Sequence, residues 1–142
     1  MHVIRILLVD DNLTLQRILQ EYLEMHPQIK VVGCAHNGQE ALALAGSSKP
    51  DLILLDLQSP GISSGLDVIP DLRQVRPLAK IIVVMPMDQA ACQPVALAAG
   101  ANGCVGKQNV GPDLLPTIQR VMGLDDPNDQ RRVDLNACIS NR

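Results

Sequence analysis

The chain has 142 residues, of which 46% are hydrophobic and 19% charged, with a net charge of −3. That is the profile of one domain able to bury a sound core, and it argues against a disordered or fibrous chain. Only 1% of the residues are aromatic, Tyr22 being the single ring, and Arg131 and Arg132 are the only adjacent basic pair. With no rings to stack bases and no basic stripe, direct nucleic-acid binding by this chain is not expected.

The first apolar run, residues 3–9, is interrupted by Arg5 and ends in two aspartates. It is too short for a membrane span and unlike a signal peptide, so no membrane role is expected. The helical stretch that follows, residues 12–25, carries Leu15, Ile18, Leu19, Tyr22 and Leu23 on one face, with Asn12 as its cap and Pro27 beyond its end. Residues 30–35 read as a second strand and 39–45 as a short Ala/Leu-rich helix. Residues 51–55 form the third strand, a Ser/Pro/Gly loop spans 58–65, and a third helix covers 66–75 with Ser64 as a candidate cap. Residues 80–85 are the fourth strand, 89–99 the fourth helix ended by Gly100, and 103–106 a short fifth strand. The fifth helix is expected over 112–122 with Pro112 at its first position.

Five βα units in a row call for a parallel sheet with helices on both faces, and strands that are apolar throughout agree with double coverage. Residues 1–123 make the domain; 124–142 lose the pattern and read as a polar tail or linker. The four cysteines (Cys34, Cys92, Cys104 and Cys138) are far apart and form no CxxC pair. The expectation is neither a zinc site nor a disulfide framework, and a reducing, cytoplasmic setting. His2, His26 and His36 show no ligand spacing and are expected at the surface or in loops.

Open α/β sheets bind ligands beyond the carboxyl ends of their strands. Here strand one ends in Asp10 and Asp11, strand three in Asp56, and strand five in Lys107. A lone aspartate after a strand is usually a cap or turn residue. Three carboxylates and one ammonium at three strand ends are a different matter. Clustered carboxylates repel and either raise each other's pKa or take a cation, and oxygen-only donors suit Mg²⁺. A carboxylate can attack phosphorus to form an acyl phosphate, with the metal and the lysine balancing charge on the phosphoryl oxygens.

These residues, in the runs ILLVDDN, DLILLDLQSPGISSGLDVI and AAGANGCVGK, resemble the receiver domain of two-component response regulators, over residues 3 to 122. The resemblance implies a flavodoxin-like (βα)5 fold, a doubly wound parallel sheet with strand order 2-1-3-4-5. It implies that Asp56 accepts a phosphoryl group from a histidine kinase, a phosphotransfer protein or a small phosphodonor. Asp11 would bind Mg²⁺ directly, Asp10 through water, and the backbone carbonyl of Gln58 would add a ligand; Lys107 would pair with the phosphoryl group. A downstream effector, as a further domain or a separate protein, and a homodimer through the fourth and fifth helices are common in the family.

The sequence departs from the family pattern at several positions. Met85 stands where a switch Thr or Ser is usual and cannot donate that hydrogen bond. Cys104 stands where an aromatic is usual, and Gln108 follows Lys107 where many members carry proline. The loop after Asp56 has one residue more than usual, within 61–64. Pro70, Pro94 and Pro116 are expected inside the third, fourth and fifth helices, with Pro116 and Pro70 close to first turns, where proline costs less. Two readings follow: a domain phosphorylated on Asp56 that signals by a non-standard switch, or a pseudo-receiver acting as a protein-interaction module. A haloacid-dehalogenase-type phosphatase is disfavoured because Asn12, not aspartate, stands two residues after Asp10. A Rossmann dinucleotide site is disfavoured because the first βα turn, DDNLT, has no glycine.

Overall fold

Apolar runs of strand length alternate with helical segments, three of which begin at side-chain caps, and this order dictates the architecture. In the computed structural model, which describes residues 3–56 and 65–123, the elements in chain order are β1 (Ile4–Val9), α1 (Leu13–Glu24), β2 (Ile29–Ala35), α2 (Gly38–Ser48), β3 (Leu52–Asp56), α3 (Val68–Val75), β4 (Lys80–Met85), α4 (Gln89–Ala98), β5 (Gly103–Gly106) and α5 (Val110–Val121). A 3-10 turn, Gly65–Asp67, leads into α3, and another, Lys107–Asn109, leads into α5. The strands form one parallel sheet in the order β2-β1-β3-β4-β5, the flavodoxin-like arrangement. The expected loop over 58–65 and the Ser64 cap lie outside the described residues, apart from Gly65 at the start of the 3-10 turn; residues 124–142 lie outside them as well.

Caps set the helix starts. Asn12 Oδ1 accepts from Leu15 N at 3.0 Å, Asn37 Oδ1 from Glu40 N at 2.9 Å, and Asp88 Oδ1 from Ala91 N at 2.8 Å. Glu40 answers by accepting from His36 N at 2.7 Å, which ties the residue before the cap to the first turn of α2. Gly100, at φ +102°, takes the left-handed conformation that ends α4.

The two faces of the sheet carry separate cores. Odd-numbered residues of β1, β3 and β4 (Leu7, Val9, Ile53, Leu55, Ile81, Val83) pack with Ala41, Ile69, Leu72 and Ala96 from α2, α3 and α4. Even-numbered ones (Ile6, Leu8, Leu52, Leu54, Ile82, Val84) pack with Leu23 of α1 and Leu114, Leu115 and Ile118 of α5. Strand side chains alternate between faces, so this parity fixes where each strand end points its next side chain.

Several expectations need correction. Gln16, not Ile18, is buried on α1: its amide donates to the carbonyl of Ala35 at 2.9 Å, whereas Ile18 is 56% exposed. His26 is buried rather than on the surface, though it lies in the α1–β2 connection, and His36 lies in the β2–α2 connection as expected. Helix α5 starts at Val110, so Pro112 sits within its first turn rather than at its first position, and Pro116 falls in its interior. Pro94 lies inside α4 as expected, and Pro70 in the first turn of α3. The cysteines are not all apart: Cys92 and Cys104 form a disulfide, and Cys34 is the free thiol among the described residues. Sequence separation hides this pair, because α4 folds back along β5 and brings the two together.

Gly106 ends β5 where the chain passes the β4–α4 connection. A Cβ there would stand 2.7 Å from the backbone oxygen of Met87 and 3.3 Å from Gln89 N. Backbone atoms cannot swing aside, so Gly106→Ala is expected to destabilise the domain by about 1–3 kcal/mol. Urea unfolding measures this; a change within about 0.5 kcal/mol of zero would contradict the close approach.

Candidate functional site

Strand parity explains how the charged residues meet. Asp10 follows Val9 of β1, Asp56 ends β3, and Lys107 follows β5. Each is in phase with the residues packed under α1 and α5, namely Leu8, Leu54 and Val105. The β1–β3 register pairs Val9 with Leu55, and one step further places Asp10 level with Asp56. Asp10, Asp56 and Lys107 line a single cavity of about 300 Å³, together with Leu19, Tyr22 and Val84.

Lys107 Nζ lies 2.8 Å from Asp56 Oδ2, an ion pair in which the Asp56 side chain is 5% exposed and that of Lys107 29%. Asp10 is 2% exposed. Its Oδ1 accepts from Asn12 N at 3.0 Å, and its Oδ2 is buried without a hydrogen-bond partner among the described residues. Burial pushes the Asp10 carboxyl up to about 6; the neighbouring Asp56 and Asp11 charges push the same way, while the Asn12 amide and the Lys107 ammonium oppose them. Asp11 is exposed and does not line the cavity. The described residues therefore hold two buried carboxylates and one ammonium together, with the third carboxylate outside; no group of three or more His, Cys, Asp or Glu side chains among them is placed to hold a metal. Gln58 lies outside the described residues.

The two altered positions are on the other face. Met85 and Cys104 are buried in the core beneath α2, α3 and α4, across the sheet from the carboxylates. Sequence reasoning missed two parts of this region. Tyr22, expected only as core packing, is half-buried on the cavity wall, and its hydroxyl donates to the backbone oxygen of Gly111 at 3.1 Å, linking α1 to α5. Gln89, at the start of α4, clasps β5: its Nε2 donates to the carbonyl of Cys104 at 2.8 Å and its Oε1 accepts from Gly106 N at 2.9 Å. The apolar spacing of α1 signalled the first, but nothing local signalled the second.

Comparison with known proteins places this geometry. The sequence profile of the response regulator receiver domain matches residues 6–119. The nitrate/nitrite response regulator protein NarL of Escherichia coli (strain K12) is 37% identical over 115 residues, covering 81% of this chain and 53% of that protein. A protein-glutamate methylesterase/protein-glutamine glutaminase of Thermotoga maritima is 31% identical over 133 residues, covering 87% of this chain and 38% of that protein. The chain thus spans about half the length, or less, of these curated relatives. Among solved structures, a two-component response regulator of the LuxR family from Aurantimonas sp. superposes with a TM-score of 0.76 at 29% identity, over 85% of this chain and 86% of that one. The response regulator domain of Thermotoga maritima CheB gives a TM-score of 0.69 at 30% identity, over 88% of this chain and 100% of that one. Among the described residues no helix is long and apolar enough to cross a membrane. A profile match running from the first strand into the last helix, on a sheet of the same order, makes this chain a member of the response regulator receiver domain family of two-component systems.

Proposed function

We propose that this receiver takes a phosphoryl group on Asp56, with Mg²⁺ beside it, and transmits the change without the usual hydroxyl–aromatic relay. The carrying observation is the Asp56–Lys107 ion pair of 2.8 Å, set in a cavity next to the buried Asp10. An orphaned Asp10 oxygen and a carboxyl held near 6 fit a hard cation as the missing partner, since the donors are oxygens alone. Asp10 and Asp56 would hold the ion, with Asp11 and the Gln58 carbonyl as the further candidates. When bound, Mg²⁺ supplies charge neutralisation for the phosphoryl oxygens.

The chain's own residues do the rest. A carboxylate oxygen of Asp56 attacks phosphorus of a phosphohistidine; the phosphorus–nitrogen bond breaks, and the donor imidazole keeps the electron pair and takes up a proton. Lys107, on a flexible stem, moves its ammonium from the Asp56 carboxylate to a phosphoryl oxygen. The donor partner is a histidine kinase or phosphotransfer protein. The recipient is an effector domain or protein, the setting is cytoplasmic, and the receiver itself turns over no separate substrate.

A specific observation favours a second reading. Met85 and Cys104 leave both relay positions without a hydroxyl or a ring, which suits a pseudo-receiver that works as an interaction module. Incubation with acetyl phosphate and Mg²⁺, read by intact mass, separates the two. The expected result is a phosphoryl-sized gain that disappears in Asp56→Asn and in chelator. No gain under any condition would overturn the phosphoryl reading and leave the second.

The raised Asp10 pKa gives a further test. The fold holds this proton more tightly than the unfolded chain does, so the group favours folding at low pH and that contribution is lost as pH rises from 3.8 through about 6. Without divalent cation, Asp10→Asn is expected to stabilise the domain at pH 7.5 by on the order of 2 kcal/mol and to have little effect below pH 4. Mg²⁺ should raise the melting temperature of the native protein at pH 7.5 more than that of the variant. Equal Mg²⁺ effects on both would contradict a cation at Asp10.

A further inference from the structure

Cys92 lies at the end of the first turn of α4, and Cys104 is the second residue of β5. Their Cα atoms are 6.4 Å apart, within disulfide reach, and the two sulfurs are joined. Both side chains have no exposed surface and belong to the core between the sheet and α4. The same site also suits the thiol form. Cys92 Sγ is 3.5 Å from the backbone oxygen of Gln89, and Cys104 Sγ is 3.1 Å from Gln93 Oε1, so each thiol has an acceptor for its proton. Neither redox state therefore buries an unsatisfied group.

The elements around the pair act as one unit. Gln89 ties the start of α4 to Cys104 and Gly106, and Lys107 follows directly. Pro94 lies inside α4 and has no N–H to give, so the carbonyl one turn earlier goes without its helical bond. Reaction with a small reagent from solution requires this first turn to open locally.

We propose that Cys92 and Cys104 are a reversible oxidation site, a dithiol–disulfide couple acted on by a hydroperoxide, whose oxidised form pins the first turn of α4 to β5. One cysteine, as thiolate, attacks an oxygen of hydrogen peroxide. A sulfur–oxygen bond forms, the oxygen–oxygen bond breaks, and hydroxide leaves as water after taking up the proton that the thiol released. The second cysteine, as thiolate, attacks the resulting sulfenic acid. The sulfur–sulfur bond forms, the sulfur–oxygen bond breaks, and a second water leaves with the second thiol proton. Overall, two thiols lose two electrons and one hydroperoxide gains them. A thiol reductant reverses the change by exchange. This goes beyond the phosphoryl reading and does not rest on it.

The test uses the full chain, reduced, freed of reductant and then treated with hydrogen peroxide. Thiols are alkylated under denaturing conditions and counted by intact mass, with the cross-link located by peptide mapping. The expected result is the loss of two alkylation sites through a Cys92–Cys104 link, restored by dithiothreitol. The link persists in the Cys34→Ser/Cys138→Ser variant and is absent in both Cys92→Ala and Cys104→Ala. Amide exchange across residues 89–106 is expected to slow by at least about tenfold on oxidation. Thiols that stay alkylatable, a link that survives either alanine variant or resists dithiothreitol, or exchange rates unchanged by the link would each overturn the proposal. No phosphodonor is present, so a failure of the phosphoryl reading leaves this outcome readable.

Discussion

The site depends on how one ammonium is shared between two buried carboxylates. Asp56 has Lys107 at 2.8 Å, whereas Asp10 has a single backbone donor and an oxygen with no partner among the described residues. Removing one member of a buried ion pair leaves an uncompensated charge and typically costs about 3–5 kcal/mol. The arrangement therefore gives Asp56 the cation and leaves Asp10, buried, with its pKa raised. Such an imbalance agrees with the cation and phosphoryl group proposed for this pocket. The doubly covered sheet makes this possible, since strand parity delivers all three groups to the face shared by α1 and α5.

That face and the opposite one divide the labour. The carboxylates look toward α1, α5 and the cavity, while Met85 and Cys104 lie beneath the other layer of helices. The strand that joins the carboxylate side to α4 is β5. Lys107 emerges from its end, and Gln89 and the Cys92–Cys104 disulfide fasten that strand to α4. Met85 and Cys104 stand where the family pattern has a hydroxyl and a ring, and the contacts between β5 and α4 include an amide clasp and a sulfur pair.

Much of the fold was legible in the sequence because each level pointed the same way. Continuous apolar strands required double coverage, Asn12 capped α1, and Gly100 closed α4. The charged residues of the site were legible for the same reason: strand ends are easy to locate, and the topology rule says where ligands go. The misses have tertiary causes. Gln16 is buried because the Ala35 carbonyl is there to receive it, which helix periodicity cannot reveal, and Ile18 is left outside on the neighbouring stripe. Pro112 suggested a helix start, but the 3-10 turn at Lys107–Asn109 let α5 begin earlier. The cysteine pair lacked any motif because its two halves sit on adjoining elements rather than on a shared turn.

The most direct test of a phosphoryl site at Asp56 follows backbone amide shifts while beryllofluoride, which mimics a phosphoryl group, is titrated in with Mg²⁺. Saturable changes are predicted, centred on Asp10, Asp56, Val84 and Lys107, extending through β5 to Gln89, and absent in Asp56→Asn. Shifts that do not saturate, or that arise away from this cavity and persist in the variant, would contradict such a site.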